Sequence, residues 1–193
     1  MKGNFWKVLA SGSIVASMLV GCSSGGTAQE AVKLSEGDTV KIGLNYELSG
    51  SVATYGQAMD KGTQLAIKQY NESDDAKYKI EAVSMDNKSD SAEATSIAEK
   101  LMGEGVAMQI GPATSGDSIA TYPSSENNKV PVLSPAVTQN GGMLKEDGTA
   151  YEYAWRICFE DSAQASAMAV FAKDLGKTKL LYIQMQLMIM QKV

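Results

Sequence analysis

The sequence predicts an α/β fold in which a parallel sheet is covered by helices on both faces. The first observation is that short β-branched and apolar stretches alternate with longer segments whose apolar residues recur at helical spacing. The second is that the connections between them are rich in glycine, serine and proline. With 193 residues, of which 44% are hydrophobic and 20% charged, the chain can form one ordinary domain with a sizeable core.

The first strand–helix unit follows a polar amino-terminal linker. Residues 39–44 (TVKIGL) combine β-branched and apolar side chains, which predicts a strand. A loop through Ser49-Gly50-Ser51 leads into a helical pattern that ends near Tyr70-Asn71. This order of elements is one β-α unit.

The second unit begins with a strand predicted at residues 79–84. Asp90 and Glu93 have the spacing of a capping box that opens a helix. The apolar residues of that helix recur at helical spacing, and they are Ala94, Ile97, Ala98 and Leu101. Gly103 and Gly105 predict where the helix ends.

Two further strands flank the third helix. Residues 106–110 predict the third strand, and residues 130–133 predict the fourth. Between them, residues 115–128 form a helical pattern that contains Pro123. Residues 153–157 predict a fifth strand or a crossover connection.

The last helical pattern begins at a second capping-box sequence, Asp161 and Gln164. Its apolar stripe consists of Met168, Phe171, Ala172 and Leu175. Such a stripe needs a sheet to cover. Residues 179–183 predict the start of a strand, after which the pattern fails in a tail rich in methionine and glutamine.

Residues 1–21 are typical of an export signal, because two lysines precede an apolar run that is too short to span a bilayer. The run ends in Leu19-Val20-Gly21-Cys22, which resembles a bacterial lipobox, so we expect Cys22 to carry lipid. Residues 22–38 then form the lipidated Cys and a flexible tether. An ordinary signal peptide with a chance cysteine is the alternative. If Cys22 is lipidated, Cys158 has no partner for an intrachain disulfide.

Charge and composition argue against several classes of function. The net charge is −5, and no cluster of Lys or Arg suggests a nucleic-acid groove, so we expect no nucleic acid as a partner. The chain contains no histidine, which removes the usual general base of nucleophilic enzymes and the commonest metal ligand. We therefore expect a protein that is not an enzyme and has neither a cofactor nor a metal.

Three loops at the ends of predicted strands carry the candidate binding residues, and they cover residues 49–56, 111–116 and 134–138. In parallel sheets, ligands bind outside the carboxyl ends of the strands, where such loops gather. Ser115 lies where a helix N-terminus would offer unpaired N–H groups and the positive end of its dipole to a carboxylate or phosphate. The alternative for Ser115 and Thr138 is simple helix capping.

Four stretches resemble, in order and spacing, the branched-chain amino-acid-binding proteins, and they are IGLNYELSGSVATYGQAMDKGTQLAI, IGPATSG, VPVLSPAVT and RICFEDSAQ. These proteins are the type I solute receptors of ABC importers and are lipoproteins in many bacteria. The resemblance runs from about Val40 to Lys179. It implies a type I periplasmic-binding-protein fold and import of a branched-chain or related small amino acid. It also implies an ABC permease as a partner and an extracytoplasmic, lipid-anchored location.

The same resemblance implies a role for each candidate residue. Ser115 would hold the ligand carboxylate through its hydroxyl and amide groups. Ala136 would offer its carbonyl to the ammonium group, and Thr138 would bind both ends of the ligand. Tyr55 would pack on the ligand side chain. Which ligand is bound stays open, because related receptors take aliphatic amino acids, amides or urea.

The resemblance further implies two lobes, with residues 39–160 as the first lobe and residues 161–193 as the start of a second lobe that is mostly missing. We interpret the tail from about residue 183 as the frameshifted product of a gene that encoded the second lobe. On that interpretation the 193-residue chain is a truncated product that does not function. A cropped fragment with an unusual strand is the alternative.

Two other functions stay open beside transport. An amino-acid sensor or regulator could use the same receptor fold to report to a partner protein. A serine hydrolase that uses Ser115 is a more distant alternative, because no GxSxG sequence surrounds this residue and no histidine is present to activate it.

Overall fold

A computed structural model describes residues 34–177 of the chain. Within these residues the strands are β1 (Thr39–Tyr46), β2 (Lys79–Asp86), β3 (Met108–Ile110), β4 (Val132–Ser134) and β5 (Ala154–Arg156). The helices are α1 (Ala53–Asn71), α2 (Ser91–Gly103), α3 (Ser115–Asn128) and α4 (Asp161–Asp174). The predictions for the export signal, Cys22 and the tail fall on residues outside this range.

The five strands form one sheet with the order β2-β1-β3-β4-β5, and all of its pairs are parallel. Pairing is longest between β1 and β2, which run in register from Thr39 opposite Lys79 to Tyr46 opposite Asp86. The predicted parallel α/β sheet is therefore confirmed, and the fifth predicted element is a strand.

The two faces of the sheet bury different helices, because successive side chains of a strand point to opposite faces. On one face, Leu44 and Tyr46 of β1 pack in a cluster that includes Met59 of α1. On the other face, the space above Gly43 is filled by Leu101 of α2, which would lie 2.9 Å from an added Cβ atom. This second face carries the larger cluster, which includes residues of α2, α3, β4 and β5.

Helix α3 is buried although its sequence is polar. Its buried hydroxyl groups donate to backbone oxygens in three cases, from Ser118 to Pro112, from Thr121 to Ser118, and from Ser125 to Val130. In the described residues, no buried side-chain nitrogen or oxygen lacks a hydrogen-bond partner. Local pairing of this kind removes the cost of burying a polar helix.

The two predicted capping boxes have different outcomes. The Asp90 carboxylate accepts from the Glu93 N–H at 2.8 Å, so the predicted cap of α2 is confirmed, although the Glu93 carboxylate contacts Lys88 rather than the cap. The prediction at Asp161 is wrong, because the N-cap position is Glu160 and its side chain makes no capping bond. Acceptors on the loop after β4 replace the missing cap.

Helix α4 buries none of its residues, and its apolar stripe is exposed. Met168, Phe171 and Leu175 are 60%, 59% and 56% exposed. Among residues 34–177, no helix is both long enough and apolar enough to cross a membrane.

Candidate functional site

The four predicted ligand-binding residues lie near the carboxyl ends of the strands. Tyr55 is in the first turn of α1, Ser115 is the first residue of α3, and Ala136 and Thr138 follow β4. The loops of the last three are joined, since the Gln139 N–H donates to the Ser115 hydroxyl oxygen at 3.4 Å. No hydrogen bond within residues 34–177 joins Tyr55 to the other three, and its side chain is 67% exposed.

The start of α3 is capped by Thr114, not by Ser115. The Thr114 hydroxyl oxygen accepts from the Asp117 N–H at 3.3 Å, and the Thr114 carbonyl accepts from the Ser118 N–H. Helix capping, the alternative role considered for Ser115, is therefore performed by Thr114. In the described part of the chain, the backbone N–H groups of Ser115 and Gly116 have no acceptor, which is the usual state of the first helical positions.

Glu47 contacts the residues just before this helix start, and the sequence analysis did not predict a role for it. Its side chain is 0% exposed. One carboxylate oxygen accepts from the Ala113 N–H and the other from the Thr114 N–H, both at 2.9 Å. The only local signal was a glutamate placed between Tyr46 and Leu48 at the end of an apolar strand.

The loop after β4 is fixed from the side of α4. The Thr138 carbonyl accepts from the Asp161 N–H at 2.8 Å, and the Asn140 side chain accepts from the Ser162 N–H at 3.1 Å. The Ala136 carbonyl accepts from the Thr138 N–H at 3.0 Å, which leaves one lone pair of that carbonyl for another donor. Within residues 34–177, the Thr138 hydroxyl forms no hydrogen bond with another residue, and Thr138 is partly exposed.

An ion pair supports the same loop. Arg156 of β5 donates to the Val137 carbonyl at 3.2 Å and to the Glu160 carboxylate at 2.6 Å. The Arg156 guanidinium lowers the pKa of Glu160, and the N–H of Gly141 adds to this effect. The loop after β4 is therefore held at both ends by charge-assisted hydrogen bonds.

The loops after β1 and β2 are joined through Asp86. One of its carboxylate oxygens accepts from the N–H groups of Leu48, Ser49 and Lys88, and the other accepts from the Ser49 hydroxyl at 2.6 Å. Burial alone would raise the pKa of Asp86, but the hydrogen bonds from Ser49, Lys88 and Leu48 outweigh it and lower that pKa. These bonds fix the loop that leads into α1 and Tyr55.

A buried amide network lies under the strand ends. Asn45 donates to the Ala94 carbonyl at 2.9 Å and to the Gln109 side chain at 3.4 Å. Asn87 donates to the Asn45 side-chain oxygen at 3.1 Å, and Gln109 donates to the Gly111 carbonyl at 3.0 Å. The network links β1 and β3 to the loops that follow β2 and β3.

Neither a metal site nor the groove described below lies at these loops in residues 34–177. In the part of the chain that the structure describes, no group of three or more Cys, Asp or Glu side chains could hold a metal ion. A groove of about 480 Å³ lies at the other end of the strands, near the amino ends of β1 and β2. The residues that line it include Glu36, Lys77 and Tyr78. It is remote from Ser115 and Thr138.

Comparisons with known proteins agree with this architecture. The family model described as periplasmic binding protein matches residues 39–187. The Leu/Ile/Val-binding protein homolog 3 of Brucella melitensis biotype 1 is 28% identical over 141 residues, which are 72% of this chain and 37% of that protein.

Two solved structures are similar in both sequence and fold. The substrate-binding protein LivJ of Streptococcus pneumoniae, solved with isoleucine, is 42% identical, and the match covers 64% of this chain and 35% of that one with a TM-score of 0.58. The leucine-binding protein LivK of Thermotoga maritima is 32% identical, with 71% and 38% covered and a TM-score of 0.61.

The chain thus spans less than half of the length of the relatives that it matches. The resemblance to branched-chain amino-acid-binding proteins and the predicted type I fold are both confirmed by these matches. The family model covers most of the chain. The chain belongs to the periplasmic binding protein family.

Proposed function

We propose that this chain is part of an extracytoplasmic solute-binding lipoprotein of an ABC transporter, which binds a branched-chain or related small amino acid for import. The observation that carries the proposal is the start of α3, where the N–H groups of Ser115 and Gly116 and the Ser115 hydroxyl are available beside the loop of Ala136 and Thr138. Relatives named as Leu/Ile/Val-binding proteins support the class of ligand.

In this proposal the ligand carboxylate binds at the start of α3. The helix N-terminus supplies two N–H donors and a positive dipole end, and the Ser115 hydroxyl supplies a third donor. The remaining lone pair of the Ala136 carbonyl accepts from the ligand ammonium group, and the Thr138 hydroxyl serves both charged ends. Tyr55, which is 67% exposed, is available to pack on an aliphatic side chain.

Calorimetry tests this function. We would titrate L-leucine, L-isoleucine and L-valine into the 193-residue chain. The same titrations would be made into a chimera in which residues 34–177 continue into the part of Streptococcus pneumoniae LivJ that lies beyond the match. We expect saturable binding by the chimera, because it adds a second lobe to the proposed half-site. A folded chimera that binds none of the three amino acids would contradict the proposal.

The proposal includes a lipid anchor on Cys22. More than one acyl chain gives stable membrane attachment, whereas a single chain gives only marginal attachment. We therefore expect Cys22→Ser to move the protein from the membrane fraction to the soluble fraction after export, while Cys158→Ser, the matched control, stays with the membrane. Cell fractionation measures the outcome, and a Cys22→Ser protein that remains in the membrane fraction would exclude this anchor.

A further inference from the structure

We propose that Glu47 is the positioning residue of the candidate site, because it holds the loop before α3 and decides which N–H groups a ligand can reach. The inference rests on the proposed function for its consequence in binding. Glu47 itself does not touch the ligand in this proposal.

Glu47 is held from two sides. Its carboxylate oxygens accept from the N–H groups of Ala113 and Thr114, which are 66 and 67 residues away in the chain. Its backbone is covered by α1, since a Cβ atom added at Gly56 would lie 2.2 Å from the Glu47 carbonyl oxygen. The side chain, which is 0% exposed, therefore connects the end of β1 to the start of α3.

The chemistry of these contacts fixes the number of donors left for a ligand. Both oxygens of the Glu47 side chain accept a backbone N–H. Together with the bond from the Asp117 N–H to the Thr114 hydroxyl, they occupy three N–H groups at the start of α3. The N–H groups of Ser115 and Gly116 remain, and two donors match the two oxygens of one carboxylate.

The test compares Glu47→Gln with the control Asp60→Asn in the 193-residue chain. Asp60 is also a buried carboxylate, 8% exposed, but it accepts from Gln64 and Ser84 on the other side of β1. Amide hydrogen exchange at Ala113 and Thr114 is measured by NMR, together with thermal unfolding, and L-leucine is titrated into the chimera described above carrying either variant. A glutamine keeps one acceptor and turns its NH₂ group toward the other N–H.

We expect exchange at one of the two amides to become at least about tenfold faster in Glu47→Gln and to stay unchanged in Asp60→Asn, because a lost hydrogen bond exposes that amide. In the chimera, we expect Glu47→Gln to lower leucine affinity about tenfold, with no larger loss of thermal stability than Asp60→Asn causes. Unchanged exchange at both amides in a folded Glu47→Gln protein would overturn the proposal.

The outcomes separate this proposal from the proposed function. A folded chimera that binds no leucine would count against the proposed function, while the exchange data would still decide the role of Glu47. If Glu47→Gln does not fold, the contacts of Glu47 are tested in wild type instead. NMR couplings are then measured across the hydrogen bonds, between the amides of Ala113 and Thr114 and the Glu47 carboxyl carbon. Their absence would overturn the proposal.

Discussion

The hydroxyl groups of Ser115 and Thr138 are the two side-chain donors that the proposed site depends on most. In the chimera described above, we expect Ser115→Ala to weaken leucine binding by roughly 1.5–3 kcal/mol, because one charge-assisted hydrogen bond to the carboxylate is lost. Thr138→Val should cost at least as much, since one hydroxyl serves both charged ends. Calorimetry measures both, with Thr149→Val as a control, because the Thr149 hydroxyl donates to Asp147 of its own turn and to no other residue within 34–177. Unchanged affinity in both folded variants would remove these residues from the site.

Asp86 gives a second residue-scale prediction, in the pH dependence of stability. Its pKa is lowered in the folded chain, so its ionised form stabilises the fold above the unfolded-state pKa, and this contribution is lost as pH falls through the lower folded value. We expect Asp86→Asn to be less stable than wild type at neutral pH, with a difference that shrinks below about pH 4. Thermal unfolding between neutral and acidic pH measures this difference, and Asp74→Asn, on an exposed turn, is the control. A difference that does not change with pH would contradict the assignment.

At the scale of single elements, α1 offers a matched pair of glycines. A Cβ atom at Gly56 would meet the Glu47 carbonyl oxygen at 2.2 Å, whereas one at Gly62 would meet nothing within 4 Å. We expect Gly62→Ala to stabilise the chain by about 0.5–1 kcal/mol, because it removes the entropic cost of glycine in a helix. Gly56→Ala should destabilise it, because α1 must move away from β1. Denaturant unfolding measures both, and a stabilising Gly56→Ala would show that the contact can relax.

The helices and strands were largely predictable, because the spacing of apolar residues and the positions of glycine, proline and capping residues are local signals. All of the strands and helices predicted within residues 39–175 are present, and α3 begins and ends where its pattern predicts. Strand β1 continues to Tyr46, beyond the predicted end at Leu44. The polar Asn45 is buried there because it donates to Ala94 and Gln109, which are distant in the chain. The roles of Glu47 and of the acceptors that replace a cap at Asp161 could not be predicted for the same reason. Both depend on long-range pairing.

For the molecule as a whole, the feature with the largest consequence is the apolar surface that α4 and β5 leave exposed. Trp155, Ile157 and Phe159 are 59%, 71% and 57% exposed, and the apolar stripe of α4 is exposed as well. Monomeric soluble proteins rarely expose apolar patches of this kind, because water contact with them favours association. We therefore expect these exposed apolar side chains to make the protein self-associate at high concentration.

A double variant tests whether this surface is independent of the core. Met168→Lys with Phe171→Lys should reduce self-association in sedimentation experiments, because two charges replace exposed apolar groups. Thermal stability should change little, since α4 buries no residue and exposed substitutions usually stay within about 0.5 kcal/mol. Leu101→Ala is the contrast, because Leu101 is 0% exposed in the larger cluster and its loss should cost about 2–5 kcal/mol. A double variant as destabilised as Leu101→Ala would mean that α4 packs against the fold in solution, and the exposed stripe would then be part of the core.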